Sequence, residues 1–201
     1  MRVLIVEERL GSGTQAESAL HAAGHVTTSC SDPTASAPCN GLVHKSQCPL
    51  DESAIDVAVL ALNPESGEAV HVPAGYVCAR RASIPLVVLG PTDRLGFASE
   101  DSGLAPTADE LVDVVEQTAR RPLRAHSEAS NAAAREVLDQ HDLETVDVSS
   151  WVERSAGRLH ARIVTSEPVD AAVTQMLAVR ALSAIREVDP TASAIGISVE
   201  T

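Results

Sequence analysis

The chain has 201 residues, of which 44% are apolar and 21% are charged, a composition typical of a globular protein. Its formal net charge is −13, and only three residues are aromatic, namely Trp151, Tyr76 and Phe97. These features argue against both a Lys- and Arg-rich phosphate-binding surface and a base-stacking aromatic surface, so we expect no nucleic-acid partner.

Apolar runs in the sequence are short. None approaches the roughly 20 residues that a membrane-spanning helix needs, and the first, residues 3–6, is too short for the core of a signal peptide. We therefore expect a cytoplasmic protein with no membrane partner. Because the cytoplasm is reducing, the four cysteines are expected to be thiols.

Residues 1–122 alternate short apolar runs with amphipathic segments, the pattern of parallel strands buried on both faces and joined by helices. The strands are predicted at 1–6, 26–30, 55–62, 84–89 and 102–105. The helices are predicted at 14–23, 74–81 and 107–121. This order predicts an α/β domain with a doubly wound, parallel five-stranded sheet and helices on both faces.

The rest of the chain has a different pattern. Residues 123–144 are Ala-rich in part and predict a helical connector. Residues 145–201 predict a small α+β domain of order ββαβ, in which a long amphipathic helix covers one face of a sheet. Its clearest strand is 158–165, where apolar and polar residues alternate.

The strand motifs of residues 1–122 resemble the receiver domain of response regulators, which has a flavodoxin-like fold. Residues 3–8 (VLIVEE) resemble the family's first strand with its acidic pair, and residues 56–64 (DVAVLALNP) resemble its third strand. Residues 84–89 resemble the fourth strand, and residues 105–106 (AP) fall where the family has Lys-Pro. The C-terminal residues 145–201 resemble, in pattern only, the small domain of the alkaline-shock protein family.

The receiver resemblance implies a loss of phosphoryl transfer. In the family an acidic pair holds Mg²⁺, an aspartate accepts the phosphoryl group, and a hydroxyl and a lysine respond to it. Here the acceptor position is Ala61, the hydroxyl position Gly90 and the lysine position Ala105, while the acidic pair survives as Glu7 and Glu8. Without the nucleophile no aspartyl phosphate forms. The resemblance thus implies a pseudo-receiver in signalling, unless a misalignment hides another acceptor.

The four cysteines are the candidate site. Cys30, Cys39 and Cys48 are spaced C-x8-C-x8-C along a Pro-containing loop predicted at 31–53, and Cys78 lies on the predicted helix 74–81. This differs from the C-x2–4-C spacing of zinc fingers. In a receiver-like fold, however, the loop and that helix lie on one face of the sheet, where all four sulfurs can meet.

Four thiolates suit zinc and an iron–sulfur cluster equally well, and His44 or Asp51 could replace one ligand. A bound metal would also supply folding energy to a loop that replaces a packed helix. Two alternatives stay open. The cysteines are ordinary thiols, some of them small core residues, or two of them form a redox disulfide.

The loop at Gly11-Ser-Gly13 and the histidines are weaker indications of a functional site than the cysteines. The loop follows the first strand, where α/β folds bind phosphates, but the full G-x-G-x-x-G is absent and Glu7 and Glu8 would repel an anion. We therefore expect a plain turn. The histidines have no metal spacing, and no catalytic triad pattern is present.

These patterns together predict a non-enzymatic regulatory or scaffolding protein that binds a protein partner or a second copy of itself. One alternative is a thiol- or metal-dependent enzyme or redox sensor that uses the cysteine loop. Another is a small-ligand binder at the carboxyl edge of the sheet, near Glu8, Leu62 and Gly90.

Overall fold

A computed structural model gives the fold of the chain. It describes residues 1–31, 39, 41, 48–52, 55–64, 73–91, 95, 102–155, 158–190, 192 and 194–201. These form two compact units, Met1–Arg120 and Arg121–Thr201. Most of the loop predicted at 31–53 lies outside the described residues. No described helix is long and apolar enough to cross a lipid bilayer.

The first unit is an α/β fold, as predicted. Its strands are β1 (Arg2–Glu7), β2 (Val26–Ser29), β3 (Val57–Ala61), β4 (Leu86–Leu89) and β5 (Gly103–Ala105). Its helices are α1 (Thr14–Ala22), α2 (Pro49–Glu52), α3 (Ala74–Arg81) and α4 (Ala108–Ala119). The five strands form one parallel sheet of order β2-β1-β3-β4-β5, an order found in flavodoxin-like folds.

The period of two along each strand sends alternate side chains to opposite faces of this sheet. One face carries Leu4 and Leu60 and packs on Tyr76 of α3, with Cys30 in the same cluster. The other face packs on α1 and α4. The cysteine-bearing face and the face covered by the last helix are therefore different.

The second unit contains α5 (Arg124–Gln140), β6 (Val148–Ser155), β7 (Arg158–Thr165), α6 (Ala171–Val188) and β8 (Ile195–Glu200). Its sheet has the order β6-β7-β8, with β6 antiparallel and β8 parallel to β7. The outward face of β7 is polar and its inward face apolar, with the burial pattern eBeBeBiB in chain order.

The helix predicted as a connector belongs to the core of this second unit. Ala134, Val137 and Leu138 of α5 are fully buried in one cluster with Leu177 of α6. The expectation of a separate connector at 123–144 is therefore corrected. The small residues that suggested a spacer allow α5 to pack closely on its neighbours.

Candidate functional site

The carboxyl edge of the five-stranded sheet is the first candidate site. Glu7 pairs in register with Ala61, Ala61 with Leu89, and Leu89 with Ala105, so four strand ends share one row. Open parallel α/β sheets bind ligands beyond this edge, next to the point where the strand order reverses. Here that point lies between β1 and β3.

The three positions that depart from the receiver pattern the sequence resembles lie in and after the strands that end at this edge. Ala61 and Ala105 are fully buried. Gly90 has a φ of +115°, a conformation that favours glycine, and a Cβ there would lie 3.1 Å from the Cβ of Leu62. A serine or threonine at this position would be strained by its backbone and crowded by that neighbour.

The surviving acidic pair holds the loops around this edge. Glu7 Oε1 accepts hydrogen bonds from the backbone N–H groups of Gly11 and Gly13, both at 2.9 Å. Glu8 Oε2 accepts one from the backbone N–H of Asn63 at 2.7 Å. In the Gly11–Gly13 loop, Glu7 takes the N–H donors that a bound phosphate would need. This arrangement supports the expected plain turn.

Asp56 does not replace the acceptor at the carboxyl end of β3. Asp56 is the only acidic residue in the segment 55–62, and it lies at the opposite, amino end of the sheet. Its Oδ2 accepts a hydrogen bond from the backbone N–H of Arg2 at 2.9 Å, and the residue is 5% exposed. Shifting the receiver alignment to Asp56 would therefore place the acceptor at the wrong edge.

A cavity of about 630 Å³ lies over the carboxyl edge of the sheet. It is lined by the loop after β1, by the segments following β3 and β4, and by the start of α4, with Leu62 and Gly90 among its walls. Two of its hydroxyls already bind backbone carbonyls: Ser12 donates to Ala61 O at 2.8 Å and Thr14 donates to Gly11 O at 3.0 Å. The lining of the cavity therefore combines uncharged side chains with the cationic side chain of Arg9.

The four cysteines are neighbours in the first unit. Cys30 directly follows β2, and the ideal Cβ position of Gly75 on α3 lies 3.0 Å from its Sγ. The ideal Cβ position of Gly41 lies 3.7 Å from the Sγ of Cys39 and 3.6 Å from the Sγ of Cys48. Two glycines thus face the sulfurs and leave room around them.

The electrostatics of Cys30 place the other three thiols close by. The pKa of Cys30 is raised to about 12, mainly by burial and then by Cys39, Cys48 and Cys78, with a side-chain hydrogen bond to Cys39 contributing last. Cys30 and Cys39 are buried, Cys48 is half-buried and Cys78 is exposed. All four are free thiols. His44 and the side chain of Asp51, the substitute ligands, lie outside the described residues.

The thiols do not stand in a finished coordination sphere. Within the described parts of the chain, no three His, Cys, Asp or Glu side chains are arranged to hold a metal ion. The other three thiols affect the pKa of Cys30, but the four sulfurs do not surround a point at which a metal ion could bind.

The second unit contains a buried ionic cluster that the sequence did not reveal. Asp189 follows α6 and is 2% exposed, and its Oδ2 accepts a hydrogen bond from Arg154 at 3.2 Å. His126 Nε2 lies 3.7 Å from the same oxygen, beyond hydrogen-bond length. Desolvation lowers the pKa of His126, the charge of Asp189 opposes this shift, and the charge of Arg154 adds to it. A lone histidine in an Ala-rich segment gave no signal of this role.

Comparison with known proteins adds no family: no family model and no curated protein matches this chain. The receiver resemblance therefore depends on the strand motifs and the strand order. A parallel five-stranded α/β fold serves many unrelated functions. The function must be inferred from the residues at the sheet edge and in the cysteine cluster.

Proposed function

We propose that this protein is a non-enzymatic regulatory or scaffolding protein built on a receiver-like domain that cannot be phosphorylated. The observation that carries the proposal is the fully buried Ala61 at the carboxyl end of β3. A phosphoacceptor must be a nucleophile that is open to the phosphodonor. Both conditions fail at this position, and the acidic pair is engaged with backbone N–H groups of Gly11, Gly13 and Asn63.

The proposal includes a thiolate-bound metal, either zinc or an iron–sulfur cluster, on Cys30, Cys39, Cys48 and Cys78. Its support is the proximity of the four thiols, three of which shift the pKa of the fourth. Such a metal would be structural, because it would link the end of β2 to α3 on one face of the sheet. The protein would then act by binding a protein partner or a second copy of the chain.

Acetyl phosphate tests the loss of phosphoryl transfer. Wild-type protein incubated with radiolabelled acetyl phosphate and Mg²⁺ should acquire no hydroxylamine-labile label, because no aspartate lies at the acceptor position. Stable labelling of the wild-type chain would refute the proposal. Glu8→Gln and Asp56→Asn variants would then report which carboxylate had accepted the phosphoryl group.

Binding of a small molecule is the second candidate function, favoured by the cavity of about 630 Å³ over the sheet edge. Its lining includes the cationic side chain of Arg9, while Glu7 already occupies the backbone N–H donors of Gly11 and Gly13 that could otherwise cradle a phosphate. Native mass spectrometry should detect a copurifying molecule that is lost on Gln15→Trp, which fills the cavity. The control is Gln140→Trp, on exposed helix surface in the other unit.

A thiol-dependent enzyme or redox sensor is the remaining alternative. It is favoured by the exposure of Cys78, which lies beside three less accessible thiols. This reading requires one cysteine with a lowered pKa that reacts first with electrophiles. The pKa of Cys30 is shifted in the opposite direction, so Cys30 does not meet that requirement.

A further inference from the structure

The three-stranded sheet of the second unit has edges at β6 and β8, and the described residues cover only the first. Val152 of β6 accepts a hydrogen bond on its carbonyl from Leu123 N–H at 2.6 Å and donates its own N–H to Ser127 Oγ at 2.8 Å. The segment around the start of α5 thus occupies backbone groups of this edge. Open edge strands present a row of unpaired N–H and C=O groups that can pair with a further strand, so proteins usually protect them.

The opposite edge, β8, has no such cover in the part of the chain that the structure describes. Leu159 N–H donates to Ala194 O at 3.0 Å, so the backbone groups of Ala194 point to β7. Since alternate residues of a strand point these groups to opposite sides, those of Ile195, Ile197 and Val199 point away from β7. These N–H and C=O groups have no hydrogen-bond partner among the described residues. β8 therefore presents an open hydrogen-bonding edge.

The residues of β8 do not blunt this edge. The strand reads IGISVE, without the Lys or Pro that protects many edge strands. Its core-facing side chains, Ile195, Ile197 and Val199, are half-buried, whereas their register partners on β7 are at most 2% exposed. The apolar face of the sheet thus continues to its open edge without being fully covered there.

The helix over this edge carries a second strip without charge. α6 packs against α5 on one side, where Arg180 Nη2 donates to Glu136 Oε2 at 3.0 Å. Thr174, Ala178 and Leu182 recur every four residues on another side of α6, and all three are half-buried. Specific dimers bury roughly 1,200 Å² or more in total, which is more than a single short strand offers. A stable partner must therefore cover this strip as well as β8.

A second copy of the chain fits this edge without opposing like charges. Antiparallel pairing of β8 with itself, about a two-fold axis at Ile197, places Ile195 opposite Val199. Each such pair joins the backbone groups that point away from β7. Glu200, the only charged residue of β8, then lies opposite Ala194 of the second copy and away from the other Glu200. Because the chain has a net charge of −13, two copies repel least where they meet through uncharged residues.

We infer that the chain forms a dimer in which the β8 strands of two copies pair antiparallel into one continuous sheet. The two α6 helices then lie antiparallel on the same face of that sheet and cover each other's uncharged strips. The dimer satisfies the open backbone groups and completes the burial of Ile195, Ile197 and Val199. This inference rests on the proposed function, in which the protein acts by binding a partner, and it names that partner as a second copy.

The test uses the full chain in analytical ultracentrifugation, where the wild type should sediment at twice the chain mass. Ile197→Lys and Ile197→Asp should each raise the dimer dissociation constant at least about tenfold, because like charges would then face each other at the two-fold axis. An equimolar mixture of the two variants should recover the dimer, because Lys would face Asp. Circular dichroism verifies that each variant is folded, since the substituted backbone N–H and C=O do not pair with β7.

Val26→Lys is the matched control, because Val26 is a β-branched residue, 59% exposed, on the edge strand β2 of the first unit. It should form the dimer as the wild type does. A dimer that both Ile197 variants leave intact, or a mixture of them that stays monomeric, would overturn the inference. So would a wild-type chain that is monomeric at high micromolar concentration, which would leave β8 to a strand of another protein. Labelling by acetyl phosphate would refute the proposed function whatever the oligomeric state.

Discussion

His126 should make the stability of the second unit depend on pH. The imidazole is 3% exposed, and its pKa is lowered mainly because burial penalises the charged form. Arg154 lowers it further, while Asp189, 3.7 Å from Nε2, opposes the shift. The folded protein therefore holds a neutral imidazole at a pH where the unfolded chain already binds a proton.

The sign and size of the effect follow from proton linkage. Below the unfolded pKa of 6.5 the unfolded state binds more protons than the folded state. The free energy of unfolding therefore decreases as the pH decreases. The slope approaches about 1.4 kcal/mol per pH unit until the folded pKa is reached. One unit below the unfolded pKa, the loss of stability caused by His126 relative to neutral pH should be at most about 1.4 kcal/mol.

Trp151 provides the assay, because it is the only tryptophan of the chain and lies on β6 of the second unit. Urea unfolding followed by its fluorescence should give a steeper loss of stability below pH 6.5 for the wild type than for His126→Gln. His141→Gln, which replaces an exposed histidine in the same unit, should behave as the wild type. Equal pH slopes for the wild type and His126→Gln would refute the account of a buried neutral imidazole.

Three further outcomes test the fold and the thiols. Asp170→Ala should lower the free energy of unfolding by about 1 kcal/mol in urea, because the carboxylate caps α6 by accepting from a backbone N–H, whereas Asp170→Asn should be nearly neutral. Gly103→Ala should lower the thermal midpoint of the first unit, since the new Cβ would overlap Thr118 Oγ1, and adding Thr118→Ala should restore part of the loss. In metal-free protein, mass spectrometry of iodoacetamide labelling should find Cys78 modified at least about tenfold faster than Cys30, which is buried and has a raised pKa. The thiol assignment would be wrong if Cys30 reacted first.

The sequence alone was sufficient for the α/β character of the first unit. Parallel strands are buried on both faces, so β1, β3 and β4 are continuous apolar runs that stand out without any knowledge of their partners. The interruptions by helices then required parallel pairing through crossovers. The residue that the receiver resemblance assigns to the acceptor position, Ala61, could also be read directly from the sequence.

Tertiary structure decided what the sequence pattern could not, because it depends on contacts between distant residues. Burial assigned the helix α5 to the second core through Val137 and Leu138, although its Ala-rich composition fits an exposed connector equally well. The contact of His126 with Asp189 joins residues far apart in sequence, and no local spacing encodes it. The spacing of the cysteines likewise matched no known motif, and only the fold brought Cys39, Cys48 and Cys78 near enough to Cys30 to raise its pKa.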